Sequence, residues 1–438
     1  MNIGMLLETL SFNNGVSRVV FALTEEFVKR GHEVRLYASK NLLPKGGRSR
    51  FPNPRISFRW LPSLRGSWRT WSLPVGALAP LGGRHDIVVS HALTIKQDVI
   101  VMHNDPQRVE MDKLAAVPFT IDPPRLQTTR RKLRAAIERL RFAPGNYRGV
   151  LVHSRRSAQE VRSTFGVPED RIAVIPHGVD SAYFCPTLAM GRRIGLRERF
   201  GISLHDIVFL YIGDSWKGLE FAIRGLALLP KRAPVTLLAA GPFPKKLFTQ
   251  FAREQGVRFL NQELWDDARS LYSVADALIA PTPMDTFSLI GLEAMSMRLP
   301  IITTQYAGIS ELLTHGENAF ILENSSNPVP IAEACLTLLE PDVRLRMAEN
   351  ARHLAVSQSW EQPALLHLRR YAALRCGRGL SETPVLDHDL PRDGLVEALQ
   401  PVVAAAERSC FASVLGDRVP GGAAQIGGDL ARRDDLFE

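Results

Sequence analysis

Two carboxylates eight residues apart, Asp285 and Glu293, bracket the stretch Ala280-Pro-Thr-Pro-Met-Asp-Thr-Phe-Ser-Leu-Ile-Gly-Leu-Glu-Ala294, where an apolar helical run begins. A fully helical segment, at 1.5 Å rise per residue, would separate them by up to ~12 Å along its axis. That reach suits an elongated ligand such as a nucleotide-sugar, with one carboxylate at each end. If the helix begins near Thr286, the backbone N–H groups of Phe287, Ser288 and Leu289 point out of its N-terminus, where a phosphate binds well. Two carboxylates alone would repel a diphosphate, so the chemistry needs a cation from elsewhere. Lys217 is the leading candidate, because it follows the apolar run Ile207–Ile212 and precedes a helical pattern. That places it at the carboxyl edge of a sheet, where α/β ligands bind. A compact ammonium there opposes the charge that develops on a departing diphosphate.

Other residues join this constellation, each with a plainer alternative. Glu293 lies among apolar residues, where a charge needs a ligand or a partner; it is equally a structural carboxylate capping a loop. Asp285 accepts hydrogen bonds from ligand hydroxyls, or else serves as a helix N-cap. His103 ends the apolar run Val99–Met102, with His91, after Val88-Val-Ser90, as the competing histidine. Gly15 ends the loop after the first strand and permits close backbone approach to a ligand, or is an ordinary turn glycine.

The elements that must position these groups are legible in the hydrophobic pattern. Met1–Leu7 reads as a buried strand, and a polar loop ending in Asn13-Asn-Gly15 follows it. Val16, Val19, Val20, Leu23 and Phe27 recur at helical spacing, Gly31 ends that helix, and Glu33–Tyr37 is the next strand. Asp86–Ser90 and Val99–Met102 continue the series. The alternation restarts at Ile207–Ile212 and runs through Val235–Ala240, Val257–Leu260, Ala277–Ala280 and Ile301–Thr303. Two successive βα series predict an α/β protein with two doubly wound, Rossmann-like domains. Domains are expected over residues 1–186 and 187–359, the second opening on the basic, poorly periodic stretch 187–205. A C-terminal helix over 360–375 crosses back, and 376–438 reads as a linker and a partly disordered tail.

The segment from Asp285 to Glu293 resembles the E-x7-E signature of retaining family-4 glycosyltransferases, which have the two-domain GT-B fold. The resemblance runs from residue 1 to about 375 on several motifs. Ser154-Arg-Arg-Ser-Ala-Gln-Glu160 with Ile175-Pro-His-Gly-Val-Asp180 resembles the interdomain entry, and Gly213–Gly218 the donor-phosphate loop. Ala307-Gly-Ile-Ser-Glu311 resembles the G-G-x-x-E turn. Spacing and neighbouring residues look most like lipopolysaccharide-core glucosyltransferases. The chain departs from the pattern at Asp285 (usually Glu), Thr286 (usually Gly), Ala307, and Asp214, which stands near the place of a usual Arg.

The resemblance implies transfer of a hexose from a UDP- or GDP-hexose donor to a glycan or glycolipid acceptor, with retention and without a metal or other cofactor. It assigns Glu293 to the ribose, Asp285 and His103 to the transferred sugar, and Lys217 to the leaving phosphate. Gly15, Gly213, Thr286, Phe287, Ser288 and Leu289 complete the expected donor site. A nucleotide-sugar epimerase on the same fold, or a catalytically silent sugar-nucleotide or membrane-glycan binding protein, is the alternative; the altered positions keep the latter open. A nicotinamide oxidoreductase is disfavoured, because no G-x-G-x-x-G follows a strand.

Composition bounds the partners. Residues 1–186 carry a net +13 and the remainder −4, within an overall +9, so the first half is expected to meet an anionic partner. No basic and aromatic nucleic-acid module is recognisable. Basic residues Arg125, Arg130, Arg131, Lys132, Arg134, Arg139 and Arg141, with Trp60, Trp68 and Trp71 among Arg55, Arg59, Arg65 and Arg69, have the composition of a membrane-interface surface. The alternative is a solvated helix beside core tryptophans. Met1–Leu7 shows no basic leader, and no apolar run approaches the ~20 residues that span a bilayer. Cys185, Cys335, Cys376 and Cys410 lie far apart without C-x-x-C spacing, which points away from disulfides or zinc. A cytoplasmic protein, peripheral on the inner face of the membrane, is expected.

Overall fold

The computed structural model describes residues 1–12, 14–43, 53–61, 85–262 and 268–377. The stretch with Arg65, Trp68, Arg69 and Trp71, and the tail from 378 on, lie outside the described residues.

The first sheet has seven strands, β1 (Asn2–Leu10), β2 (Glu33–Asn41), β3 (Ile56–Trp60), β4 (Ile87–Ser90), β5 (Val99–Val101), β6 (Gly149–Val152) and β7 (Ile172–Val174), in the order 3-2-1-4-5-6-7. The second has six, β8 (Ile207–Ile212), β9 (Val235–Ala240), β10 (Phe259–Gln262), β11 (Ala277–Ala280), β12 (Ile301–Thr304) and β13 (Ala319–Leu322), in the order 10-9-8-11-12-13. All the ladders are parallel. In both sheets the strand order reverses beside the first strand, between β1 and β4 and between β8 and β11. At such a switch point the flanking loops diverge and leave a crevice at the carboxyl ends. The loops after β1, β5, β8 and β11 carry Gly15, His103, Lys217 and Asp285.

Helix α1 (Gly15–Lys29) forms as its spacing predicts, with Val19, Val20, Leu23 and Phe27 buried against the first sheet. Its N-cap is Asn14, whose side chain accepts from the Ser17 N–H at 3.0 Å, and Gly31 turns out of it at φ +84°, a conformation that favours glycine. Between β5 and β6 come α2 (Gln107–Ala115) and α3 (Thr129–Arg141), and α4 (Arg155–Phe165) follows β6.

The stretch 187–205 corrects the sequence reading. Helix α5 (Pro186–Arg199) occupies most of it, opening with proline in the first turn. Its basic residues do structural work that hydropathy hides: Arg197 is 1% exposed, with Nη2 2.6 Å from Asp276 and Nε 3.0 Å from the Val274 carbonyl. A buried arginine is tolerated because it is paired and hydrogen-bonded.

The second sheet is flanked by α6 (Leu219–Ala227), α7 (Lys245–Glu254), α8 (Arg269–Val274), α9 (Leu289–Ser296), α10 (Pro328–Thr337) and α11 (Pro341–Ser357). Apolar cores fill both of its faces. Helix α12 (Glu361–Arg375) then returns to the first domain, where Ala364, Leu368, Tyr371 and Leu374 join the core of α1 and the first sheet. Burial of such side chains is worth ~1.5–3 kcal/mol each. The exposed Arg30–Glu361 pair at the helix start belongs to a class worth ~0–1 kcal/mol, so packing holds α12 in place. Among the described residues no helix is long and apolar enough to cross a membrane. Cys335 and Cys376 are free, and Cys185 is buried; Cys410 lies outside the described residues.

Candidate active site

The loop after β8 is shaped by glycine. Gly218 has φ +101°, and a Cβ there would lie 2.2 Å from the Pro281 carbonyl oxygen. The loop therefore packs directly on the segment that leads to Asp285. A single turn of 3-10 helix, Ser215–Lys217, ends against it. Lys217 Nζ reaches Asp285 Oδ2 at 2.8 Å, with 28% of the lysine side chain exposed. Burial alone would lower the pKa of this ammonium. The charge and hydrogen bond of Asp285, with Asp214 and Asp105 nearby, outweigh burial and hold it above the ordinary lysine value.

Asp285 is seated by backbone on both sides. Its N–H donates to the Tyr306 carbonyl at 3.1 Å, and its carbonyl accepts from the Gly308 N–H at 2.8 Å. A Cβ on Gly308 would lie 2.1 Å from the Thr286 carbonyl oxygen, so the glycine of the 307–311 turn is required where Ala307 is tolerated. The helix starts later than expected. α9 begins at Leu289, after Ser288 at φ +90°, and has no side-chain cap. Only the second half of the Asp285–Glu293 segment, from Leu289 on, is helical, so the ~12 Å axial estimate from a full helix does not apply. The Phe287 N–H turns back to Asp285 Oδ1 at 3.3 Å, and Phe287 is 1% exposed. First-turn N–H groups from Leu289 on have no acceptor within their own helix.

Thr286 stands where the family pattern has Gly. Its hydroxyl donates to the His103 carbonyl at 2.9 Å and ties the two domains together. His103 itself meets its competitor, since His91 Nδ1 lies 2.9 Å from His103 Nε2. Behind them His153 and His177 complete a buried group, with nitrogens of His103, His153 and His177 within 4.8 Å of one another. That is close enough for a shared ion; the His153 and His177 rings lie with centroids 3.7 Å apart and planes tilted by 37°. Burial first, and neighbouring histidines second, push His91, His103 and His177 well below the ordinary imidazole value. His103 therefore offers a neutral ring.

Glu293 sits one helical turn into α9. Arg18 of α1 meets its Oε1 at 2.6 Å, and the Tyr272 hydroxyl donates to its Oε2 at 2.8 Å. Burial raises this carboxyl above its usual range, with Arg18 and Tyr272 pulling the other way. The pair borders a cavity of about 1040 Å³ whose lining includes Tyr183, Phe184, Ile212, Tyr272 and Leu289. Lys217, Asp285 and His103 are not among its lining residues.

Three further ties cross between the domains, none foreseen from sequence. Arg156 donates to the Asp285 carbonyl at 2.7 Å and to Asp105 at 3.3 Å. Glu311 accepts the first backbone N–H groups of α4, Arg155 and Arg156, at 2.9 and 3.0 Å. Glu220 accepts from Thr120 and Ile121 N–H at 2.9 and 3.0 Å. The basic helix also differs from expectation. Arg141 is buried, 4% exposed, and Arg131 pairs with Glu110 at 2.7 Å. Arg125, Arg130, Lys132 and Arg139 are exposed, as is Trp60 at 38%.

Paired Rossmann-like sheets with opposed carboxyl edges, and a cation–carboxylate cluster between them, define the GT-B class. A structure of WaaG, a glycosyltransferase involved in lipopolysaccharide biosynthesis, superposes on 86% of this chain and 100% of its own with a TM-score of 0.69 at 20% identity. Anabaena Alr3699/HepE, solved with UDP-glucose, covers 84% and 99% with a TM-score of 0.62 at 16% identity. In sequence, residues 13–183 match Glycosyltransferase Family 4 and residues 206–341 match Glycosyl transferases group 1. The chain belongs to the GT-B glycosyltransferases, with a family 4 domain followed by a group 1 domain.

A D-inositol 3-phosphate glycosyltransferase of Corynebacterium glutamicum is 28% identical over 49% of this chain and 54% of its own length. The lipopolysaccharide glucosyltransferase WaaG of Escherichia coli is 24% identical over 53% and 64%. The matched segments span about half the length of most such relatives.

Proposed function

We propose that this chain is a retaining hexosyltransferase that takes a UDP- or GDP-hexose and glycosylates a glycan or glycolipid of the cell envelope. The observation that carries the reading is the division of the site. Glu293 borders a cavity large enough for a nucleoside, while Lys217 and Asp285 form a separate pair outside its lining. The nucleoside fits the cavity with its ribose hydroxyls on Glu293. The sugar then lies toward Asp285 and His103, and the diphosphate runs past Gly15, Gly213 and the first turn of α9. Metal-independence is part of this proposal: the charge on the leaving group is met by side-chain and backbone donors.

In front-side displacement the bond from the anomeric carbon to the β-phosphate oxygen breaks, and its electron pair leaves on that oxygen. The acceptor hydroxyl oxygen bonds to the anomeric carbon from the same face, and its proton passes to the departing phosphate. Lys217 and the α9 N-terminus stabilise the charge that develops there. The domain ties through Arg156, Glu311 and Thr286 align the two halves of the site and exclude water. The donor is assigned to the second domain, residues 187–359, and the acceptor to the first, residues 1–186. Arg125, Arg130, Lys132 and Arg139 give the first domain an exposed basic surface for the anionic inner face of the cytoplasmic membrane.

The test is a panel of UDP- and GDP-hexoses read by nucleotide release, with and without a crude membrane-lipid extract. Release from one donor that depends on the extract, and that falls ~10²–10³-fold in Lys217→Ala, is expected. Binding without turnover across the panel would contradict the enzyme reading, and acceptor-independent conversion of the donor sugar would favour an epimerase.

A further inference from the structure

The loop Gly213–Lys217 brings one cation to a diphosphate, and Asp214 beside it is an acid. A second cation must come from another element. Arg156 is engaged by Asp105, Glu160 and the Asp285 carbonyl, and Lys113 by Asp105 and Glu160. Arg18 differs, because its partner is the carboxylate that the proposed donor needs.

Helix α1 and helix α9 meet through their first turns in two rungs. A Cβ on Gly15 would lie 3.6 Å from Leu289 Cδ1. One turn on, three residues along α1 and four along α9, Arg18 meets Glu293 at 2.6 Å. Arg18 therefore stands about one helical turn, ~5 Å of axial rise, along α1 from the contact of the two helices' first residues.

Each Glu293 oxygen already has a partner and only 7% of the side chain is exposed, so a ribose diol gains access to the carboxylate by displacing one of them. Tyr272 is 1% exposed in the core of its own domain. Arg18 comes from the opposite domain, and 31% of its side chain is exposed. Arg18 is the partner that yields.

Building on the donor reading above, we propose that Arg18 is the second diphosphate-binding cation, released from Glu293 by the ribose and turned onto the phosphates. A guanidinium suits this exchange, since its planar fork binds carboxylate and phosphate in the same bidentate manner. The nucleoside and diphosphate halves of the donor then bind cooperatively: the first frees the charge that holds the second.

The experiment compares uridine with UDP, and guanosine with GDP, titrated into wild type, Arg18→Gln and Arg18→Lys. NMR reads the nucleosides, calorimetry the diphosphates, and thermal unfolding checks each fold. Arg18→Gln is expected to bind nucleoside as well as wild type or better, because Glu293 has lost its competitor. Its preference for diphosphate over nucleoside should fall roughly 10- to 100-fold, and Arg18→Lys should recover part of that preference.

Equal changes for nucleoside and diphosphate would make Arg18 a structural latch and overturn the proposal. So would an Arg18→Lys preference no better than that of Arg18→Gln. Wild type that binds neither UDP nor GDP would remove the donor reading itself. Tight binding that Arg18→Gln leaves untouched would remove only the role of Arg18.

Discussion

Asp285 is where the chain departs most plainly from its family pattern, and the structure narrows what the shorter acid does. It does not cap α9, which begins four residues later without a side-chain cap; it holds Lys217 and the Phe287 N–H instead. Asp285→Asn and Asp285→Ser, both good N-caps, should therefore lose turnover while binding nucleoside diphosphate nearly normally. Glu293→Ala should weaken nucleoside diphosphate binding itself, by the roughly 1.5–3 kcal/mol of a charged hydrogen bond. Calorimetry and initial rates separate the two, and full activity in both Asp285 variants would end the sugar assignment. The sequence singled out Lys217, Asp285, Glu293 and His103 because each is a chemistry-bearing type at a strand end or within an apolar run. Arg18 escaped notice, since an arginine in the first turn of an amphipathic helix reads as solvated. Its only signal was its place three residues after Gly15, on the same face of α1.

Elements were legible wherever one periodicity ran unbroken. The strands at Ile207–Ile212, Val235–Ala240 and Ala277–Ala280 and the helix after Gly15 stand where the pattern puts them. β3, β6, β7 and β13 are short, with three to five residues each, and their pattern cannot be told from buried helix segments or loops. α5 was hidden by arginines that turn inward, and the start of α9 was misplaced because Thr286 and Phe287 are held by contacts from other segments. Long-range capping was equally invisible. Glu311 completes the first turn of α4 from the other domain, and nothing in either local sequence couples them. Glu311→Ala should cost about 1–2 kcal/mol, as for loss of a good N-cap, and should lower turnover by loosening the turn that seats Asp285. Urea unfolding with parallel rates checks both, and unchanged stability would remove the capping role.

At the scale of the molecule, the buried histidines set a pH dependence. Burial lowers His153 to about 4, and His91, His103 and His177 move the same way, while unfolded imidazoles titrate near 6.5. The unfolded chain thus takes up these protons first. Their stabilising contribution is full above about pH 6.5 and is lost as pH falls toward 4, on the order of 3 kcal/mol for His153 alone. Thermal unfolding from pH 7.5 to 4.5 should show that decline, and His153→Gln should flatten it. A profile flat across this range would contradict the buried neutral cluster.

The exposed arginines of the first domain make a second prediction at this scale. The protein should bind anionic vesicles, leave neutral ones, and be released by salt; salt-insensitive binding to both would remove the membrane assignment.

The central claim is retention at the anomeric carbon, and product stereochemistry tests it most directly. With the donor identified by the panel, the new glycosidic linkage is assigned by NMR from its anomeric coupling constant. The account predicts the anomeric configuration of the donor in the product. An inverted linkage would contradict it.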